Sequence, residues 1–503
     1  MNTIGDLART KGGGRMSNNK YAVVDIEANG LLYDATEIHC MVIRTVDVRG
    51  TYVFSSSPMT GAPCDGSITH GVEYLRSLVA SGYTIVGHNL LGYDFPLLKK
   101  LGYWYPDVFK DAKVLDTYIG VSLRHPEEKP GLDHWGQMFG IPKPVHTDWS
   151  TLSVDMIHRC EQDTRINERL LVHLQSQGYE GDEWTVARDT EQKVLWIHSQ
   201  QVLHGMRVDI HELSKVLRRI DDEIRRLTVM LHKDLPKSCV NQGELKAIFK
   251  QDGTLTHHVT NWSKATGLGT WSGVLYPPSN SDVPDPKKRI RIGGPFSRID
   301  FEPVNLSSAP ALKKILFGLG WKPTQWNYKK DKSNQFERDE KGKRIKTTPK
   351  LTEDSYDSLP PGLGQNIAEL LRLKHRRRFI QNETDPTKGL VGFIRNDGRV
   401  ECEAFTCGTN TGRYRHSGAF VNLPKVSTPW GPEIRSLFCV PEDRFLIGID
   451  LDGIEARMMA HYATFYDGGA FAHEVLKGDV HQMTADAMGI DSQLANAFRY
   501  AIS

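Results

Sequence analysis

The sequence predicts an α/β domain over residues 20–180, followed by α+β regions over 181–390 and 391–503. Three observations carry that prediction. Apolar strand-like runs alternate with helix-like runs over 20–175. Long stretches with charged faces fill 183–235, and from 391 the pattern returns to strands. Residues 1–19 lack the apolar core of a signal peptide and read as a flexible leader, with Met16 as an alternative start. YAVVD (21–25) is a short apolar strand ending in an acid, and IHCMVIRTVD and TYVFSS read as a hairpin. YTIVGHN (83–89) is another buried strand, and DFPLLKKLG (94–102) has helical spacing. Residues 250–300 are rich in Gly, Pro and Ser and read as a polar insertion. Residues 361–381 form a basic helix. GFIRNDGRVECEAF reads as strands, and RFLIGIDLDGIEARMMAHYA (444–463) as a strand running into a helix.

With 503 residues the chain has room for several packed cores. No run of eighteen apolar residues occurs, so no membrane span is expected. Seven cysteines without a close CxxC pair give no zinc or disulfide framework and suit a cytoplasmic protein with reduced thiols. Net charge is only +2, so the distribution of charge matters more than its sum. RLKHRRR (372–378), with Arg376, Arg377 and Arg378, is the densest basic run. Lys287, Lys288, Arg289 and Arg291 form a second cluster, and Lys341, Lys343, Arg344 and Lys346 a third. Each can neutralise phosphates, and each is equally well read as a solvated face.

Asp25 and Glu27 are two apart at the end of an apolar strand, so period two puts both on one face. Asp94 follows a buried strand, in GHNLLGYDFPLL, and Asp163 lies in a helical stretch, HRCEQDTRINERLL. Four acids without Cys or His ligands suit hard cations such as Mg²⁺ or Mn²⁺. Two such ions about 4 Å apart can ionise water and stabilise a leaving oxygen, which is phosphodiester hydrolysis. Singly, each acid is more simply a surface pair or a helix cap. Together, DIEANGL, GHNLLGYDFPLL and CEQDTRIN resemble the three exonuclease motifs of the DEDD superfamily, in order. AKVLDTY, with Asp116, and GLDHWGQMFGIPKP resemble the intervening segments of phage polymerase exonuclease domains. The resemblance implies an RNase H-like fold, 3′→5′ exonuclease activity, and Asp25, Glu27, Asp94 and Asp163 as ligands of two metal ions. One subgroup of that superfamily has Tyr four residues before the last Asp, where this chain has Arg159. His158 stands five before it, the spacing of the histidine subgroup, and is a candidate general base. In an unbroken helix His158 points roughly 140° away from Asp163, so the role requires a helix break or start nearby.

TGRYRHSGAFVNLPK (411–425), with Thr411, Gly412, Arg413 and Asn422, resembles the primer-template-contacting segment of family A DNA polymerases. EIRSLFCVPEDRFLIGIDLDGIEARMMAHYA resembles their motif A. That resemblance implies Asp450 as a ligand of both catalytic metals, the Leu451 carbonyl as a ligand of one, and Glu455 shaping the pocket against ribonucleotides. GDVHQMTADAMGI resembles the segment entering the fingers, which implies His481 near the nucleotide phosphates and Tyr500 as the helix tyrosine. QQVLHGMRVD and VNLSSAPALKKILFGLGWKPT resemble the thumb. The expected architecture is therefore an exonuclease domain, a thumb region, and a partial palm with the start of the fingers. No HDE motif occurs in the sequence, and Ser492 and Asn496 align where the family has Arg and Lys. The expectation is the N-terminal part of a phage-type polymerase, acting in the cytoplasm of an infected bacterial host. Primer-template, single-stranded DNA and dNTPs are its expected ligands. A second chain carrying the remaining fingers and palm, and a processivity factor, are its expected partners. Two other readings remain open: a self-sufficient 3′→5′ exonuclease, and a non-catalytic primer-template-binding module.

Overall fold

The computed structural model describes residues 20–107, 109, 113–245, 250–252, 254–257, 259–261, 269–271, 274–276, 296–332, 334–420, 423–451, 453–478, 482, 485, 486, 488 and 489. They divide into two compact units, one ending at Cys439 and one beginning at Val440.

The first unit opens on a five-stranded sheet. β1 (Tyr21–Ala28) pairs antiparallel with β2 (Ile38–Thr45), which pairs antiparallel with β3 (Gly50–Ser55). β4 (Thr84–Gly87) joins the other side of β1 in parallel, and β5 (Val114–Asp116) joins β4 in parallel. The order is β3-β2-β1-β4-β5. β1 is apolar on both faces because both are covered. Ala22, Val24, Ile26 and Ala28 enter one cluster, with Leu75 of α1 (Ile68–Ala80) and with Phe95 and Leu98 of α2 (Asp94–Lys100). Tyr21 and Val23 enter another, with Ile166, Leu170 and Leu174 of α5 (Val154–Ser176). Between them in sequence lie α3 (Thr117–Arg124) and α4 (Leu132–Phe139). Each fully buried Leu or Ile in these layers contributes about 1.5–3 kcal/mol relative to exposure. By the strand period, the face of Tyr21 and Val23 is also the face of Asp25 and Glu27, and α5 lies over it.

α6 (Asp182–His204) leads into β6 (Met206–Val208), which pairs with both Arg399–Val400 and Phe438–Cys439. α7 (Ile210–Asp234) packs its Leu213, Val216, Ile220 and Leu231 stripe with Ile367, Leu370 and Leu373 of helix Leu363–Ile380. The expected insertion near 250–300 lies mostly outside the described residues, as do Lys287, Lys288, Arg289 and Arg291. No helix among the described residues is long and apolar enough to cross a membrane. The second unit holds helices Ile454–Asp467 and Ala470–Lys477, joined by Ala460 and Val475.

Two expectations are corrected. The run RFLIGID forms no ladder among the described residues; Phe445, Ile447 and Ile449 are exposed, and the helix begins only at Ile454. A strand needs a neighbour to take its backbone hydrogen bonds, and apolar alternation does not supply one. The second correction concerns the basic run 372–378. It is helical as expected, but it spends its charge internally. Arg376 is 3% exposed and donates to Glu353 at 2.5 Å. Arg377 pairs with Asp221 at 2.7 Å and Glu383 at 3.1 Å. Lys374 donates to the Leu306 carbonyl and Ser307. Arg376 and Arg377 therefore tie the helix to its neighbours through these acids, and of the three arginines Arg378 alone is exposed.

Candidate active site

A cavity of about 520 Å³ opens where β1, the turn after β4 and α5 meet. Asp25, Glu27, Asp94 and Asp163 all line it. Three of them, Asp25, Glu27 and Asp163, bring one carboxylate oxygen each to within 4.8 Å of one another. Asp25 and Glu27 reach it by strand period, and a bulge between Glu27 and Ala28 ends the regular pairing with β2. Asp163 arrives from α5, which is fixed by Met156, Ile157 and Cys160 packing on Cys40 and Val42. Asp94 opens α2 and stands outside the tightest group.

The loop before Asp94 is held by a fifth acid. Asp116 is fully buried and accepts from the backbone N–H groups of Asn89 (2.9 Å), Leu91 (3.1 Å) and Tyr118 (3.0 Å). It does not line the cavity, and it positions the turn that carries Asp94. Burial pushes its carboxyl up to about 6, although those N–H groups favour the ionised form.

The cluster is electrostatically loaded. Burial, then the neighbouring Asp163, Glu27 and Asp94, push Asp25 well above the ordinary carboxylate range. Burial and Asp163 raise Glu27 to about 7, against the pull of Arg159 and Lys143. Asp94 and Asp163 are raised too, chiefly by burial. Asp25 Oδ2, Asp94 Oδ1 and Asp163 Oδ1 are buried without a hydrogen-bond partner. Orphaned carboxylate oxygens on acids that line one cavity, with no soft ligand in the tight group, fit a hard divalent cation.

The other candidate residues fall elsewhere. His158 is exposed on α5, which runs unbroken from Val154 to Ser176, and it does not line the cavity. Five residues of continuous helix carry it to another face, so it is removed as the general base. Its neighbour Arg159 does line the cavity, 3.4 Å from Glu27. His88 also lines it. Thr117 engages its Nδ1 at 3.0 Å, and burial and the Lys143 charge hold it neutral, down to about 3. Lys143, 2.6 Å from Asp163, is a site residue that motif reading passed over, though it stands inside the quoted GIPKP run.

Thr411, Gly412 and Arg413 form the exposed turn of a hairpin between Ala404–Phe405 and Arg415–His416, with Gly412 at φ +76°. That left-handed angle favours glycine. Asp450 and Leu451 are exposed, and Glu455 lies in the first turn of its helix. Among the described residues no acidic metal-holding group includes Asp450. Asn422, His481, Ser492, Asn496 and Tyr500 lie outside the described residues.

The family model for DNA polymerase family A matches residues 296–497. The DNA-directed DNA polymerase of Escherichia phage T7 is 26% identical over 548 residues, covering 91% of this chain and 72% of that protein. That of Enterobacteria phage T3 is 25% identical, covering 92% and 73%. Among solved structures, the POL domain of Pol1 from M. smegmatis, in complex with DNA primer-template and dNTP, superposes with a TM-score of 0.58. It is 16% identical and covers 97% of this chain and 68% of that one, a likeness of fold.

Proposed function

This chain is a phage-type family A DNA polymerase, and from that premise we propose that its N-terminal sheet is an RNase H-like 3′→5′ exonuclease that proofreads primer ends. The observation that carries the reading is the convergence of Asp25, Glu27 and Asp163 within 4.8 Å, with Asp94 on the same cavity wall. Two Mg²⁺ or Mn²⁺ ions held by these four carboxylates would supply an ionised water and stabilise the leaving 3′-oxygen. The chain's own residues do the rest. Asp116 fixes the turn that aims Asp94. Tyr93 donates to the Gly30 carbonyl at 2.5 Å and closes one wall. Exposed Leu31 and half-buried Trp149 give apolar surface on which a frayed terminal nucleotide can pack.

The remaining assignments follow the family. The Thr411–Gly412–Arg413 turn, with Asn422, contacts primer-template. Asp450 and the Leu451 carbonyl serve the polymerase metals, and Glu455, His481 and Tyr500 serve the incoming dNTP. Two-ion nucleotidyl transfer needs more than one carboxylate. Among the described residues no group of three or more metal-holding side chains includes Asp450, and the reading includes a further carboxylate-bearing segment, outside the described residues or on a second chain, and a processivity factor. The setting is the cytoplasm of an infected bacterial host. The test is nucleotide release from 3′-labelled single-stranded DNA in Mg²⁺. The Asp25→Ala, Glu27→Ala double variant is expected to release none; release at the parent rate would end the reading.

A further inference from the structure

Two cations line the carboxylate cavity, and they are held in different ways. Arg159 is riveted. Its Nη1 donates to the Pro144 carbonyl at 2.6 Å, and its guanidinium lies 5.2 Å from the centre of the Trp149 ring. Lys143 meets the cluster through its ammonium alone, 2.6 Å from Asp163 Oδ2. The root of its side chain is fixed. Gly140, at φ +70°, ends α4 and Ile141 N–H donates to the Gly136 carbonyl at 2.8 Å. Pro144 is tied to Arg159, and the Trp149 carbonyl meets the His39 ring at 3.1 Å. A four-carbon stem on a pinned loop can swing without moving the backbone.

Asp163 cannot serve this ammonium and a divalent ion equally, because the two cations would repel across a few ångströms of poorly solvated space. An ammonium displaced from Asp163 needs another anion, and the anion that a loaded exonuclease site brings is the DNA phosphate. We propose that Lys143 is an exchangeable counter-ion, which holds Asp163 in the metal-free cluster and passes to a non-bridging oxygen of the scissile phosphate when metal and DNA are bound. Lys143 is then a phosphate-positioning residue. The inference rests on the exonuclease reading.

Mn²⁺ binding to the DNA-free chain, followed by electron paramagnetic resonance, is compared with single-turnover 3′ nucleotide release at saturating Mn²⁺. Lys143→Gln keeps a hydrogen-bonding side chain and drops the charge. It is expected to bind Mn²⁺ about threefold tighter or more, because a competitor is gone. It is also expected to release nucleotide about tenfold more slowly, because the phosphate is left without a charge-assisted hydrogen bond. Weaker or unchanged Mn²⁺ binding would overturn the proposal, since a merely structural lysine loosens the site when removed. An unchanged rate at saturating metal would overturn it too. Lys143→Arg, which keeps the charge, is expected to bind Mn²⁺ within about twofold of the parent; tighter binding there contradicts charge competition. This variant also decides the matter if Lys143→Gln does not fold. A parent chain that releases no nucleotide sinks the exonuclease reading and the phosphate step with it, whereas the Mn²⁺ comparison judges the counter-ion step by itself.

Discussion

Two segments of this chain look alike on paper, YAVVDIEA at residues 21–28 and RFLIGID at 444–450, each apolar and each presenting an aspartate. The first is the central strand of its sheet, paired on both sides, with Val23 and Val24 at most 1% exposed. The second makes no ladder among the described residues and leaves Phe445 90% and Ile449 87% exposed. The difference teaches that a carboxylate becomes a site only through its frame. Asp25 is aimed by β2, β4 and α5 together, and the field of its neighbours follows from that convergence. Asp450 has the matching local sequence without such a frame among the described residues.

The largest expected effect separates the two segments directly. Asp163→Ala should lower 3′ nucleotide release by about 10³-fold, several kcal/mol of lost metal-assisted stabilisation. Asp450→Ala should leave that release unchanged. Equal losses in a nucleotide-release assay would break the comparison, because both aspartates would then serve one reaction.

The same contrast divides the cations. Arg376→Ala removes a nearly buried partner of Glu353 and should cost about 2 kcal/mol or more in urea unfolding, with no change in the salt dependence of DNA binding. The hairpin joining Trp326–Tyr328 to Lys346–Pro349 behaves oppositely. Its Lys341, Lys343 and Lys346 are exposed. Replacing those three by Ala should flatten the salt slope of duplex binding by about one for each lysine that neutralises a phosphate, with little effect on folding. A flattened slope in Arg376→Ala instead would return the helix to the DNA interface.

A pH measurement sharpens the account of the first frame. Folding raises Glu27 from 4.5 to about 7, mainly by burial, so the folded metal-free chain binds more protons there than the unfolded one. That contribution is fully present below about pH 4.5 and is lost as pH rises through about 7. It is worth on the order of 3 kcal/mol. Glu27→Gln should therefore gain stability over the parent between pH 5 and pH 8 in chelator. A parent-to-variant difference that stays constant with pH would contradict the buried, frustrated cluster. The smallest effect belongs to His158→Ala, expected to change the release rate less than about twofold because the ring stands outside the cavity.

Much of the first unit was legible in the sequence because strand period and burial act locally. The alternation in 21–28 already put Asp25 and Glu27 on one face, and GHNLLGYD already put Asp94 at a strand-to-helix turn. The place of His158 depended on whether the helix is continuous, which the residues 153–163 alone leave open. Arg376 and Arg377 were misread because their acids, Glu353, Asp221 and Glu383, are partly remote in sequence and meet them only after folding. Lys143 lay in plain view, but its partner Asp163 is on another element.

The central claim is tested most directly by a 5′-labelled single-stranded oligonucleotide incubated with the purified chain and Mg²⁺. The expected result is a ladder that shortens one nucleotide at a time from the 3′ end, is abolished by chelator, and is absent in the Asp25→Ala, Glu27→Ala variant. Internal cuts, loss of the 5′ label as a mononucleotide, or an identical ladder from the variant would contradict it.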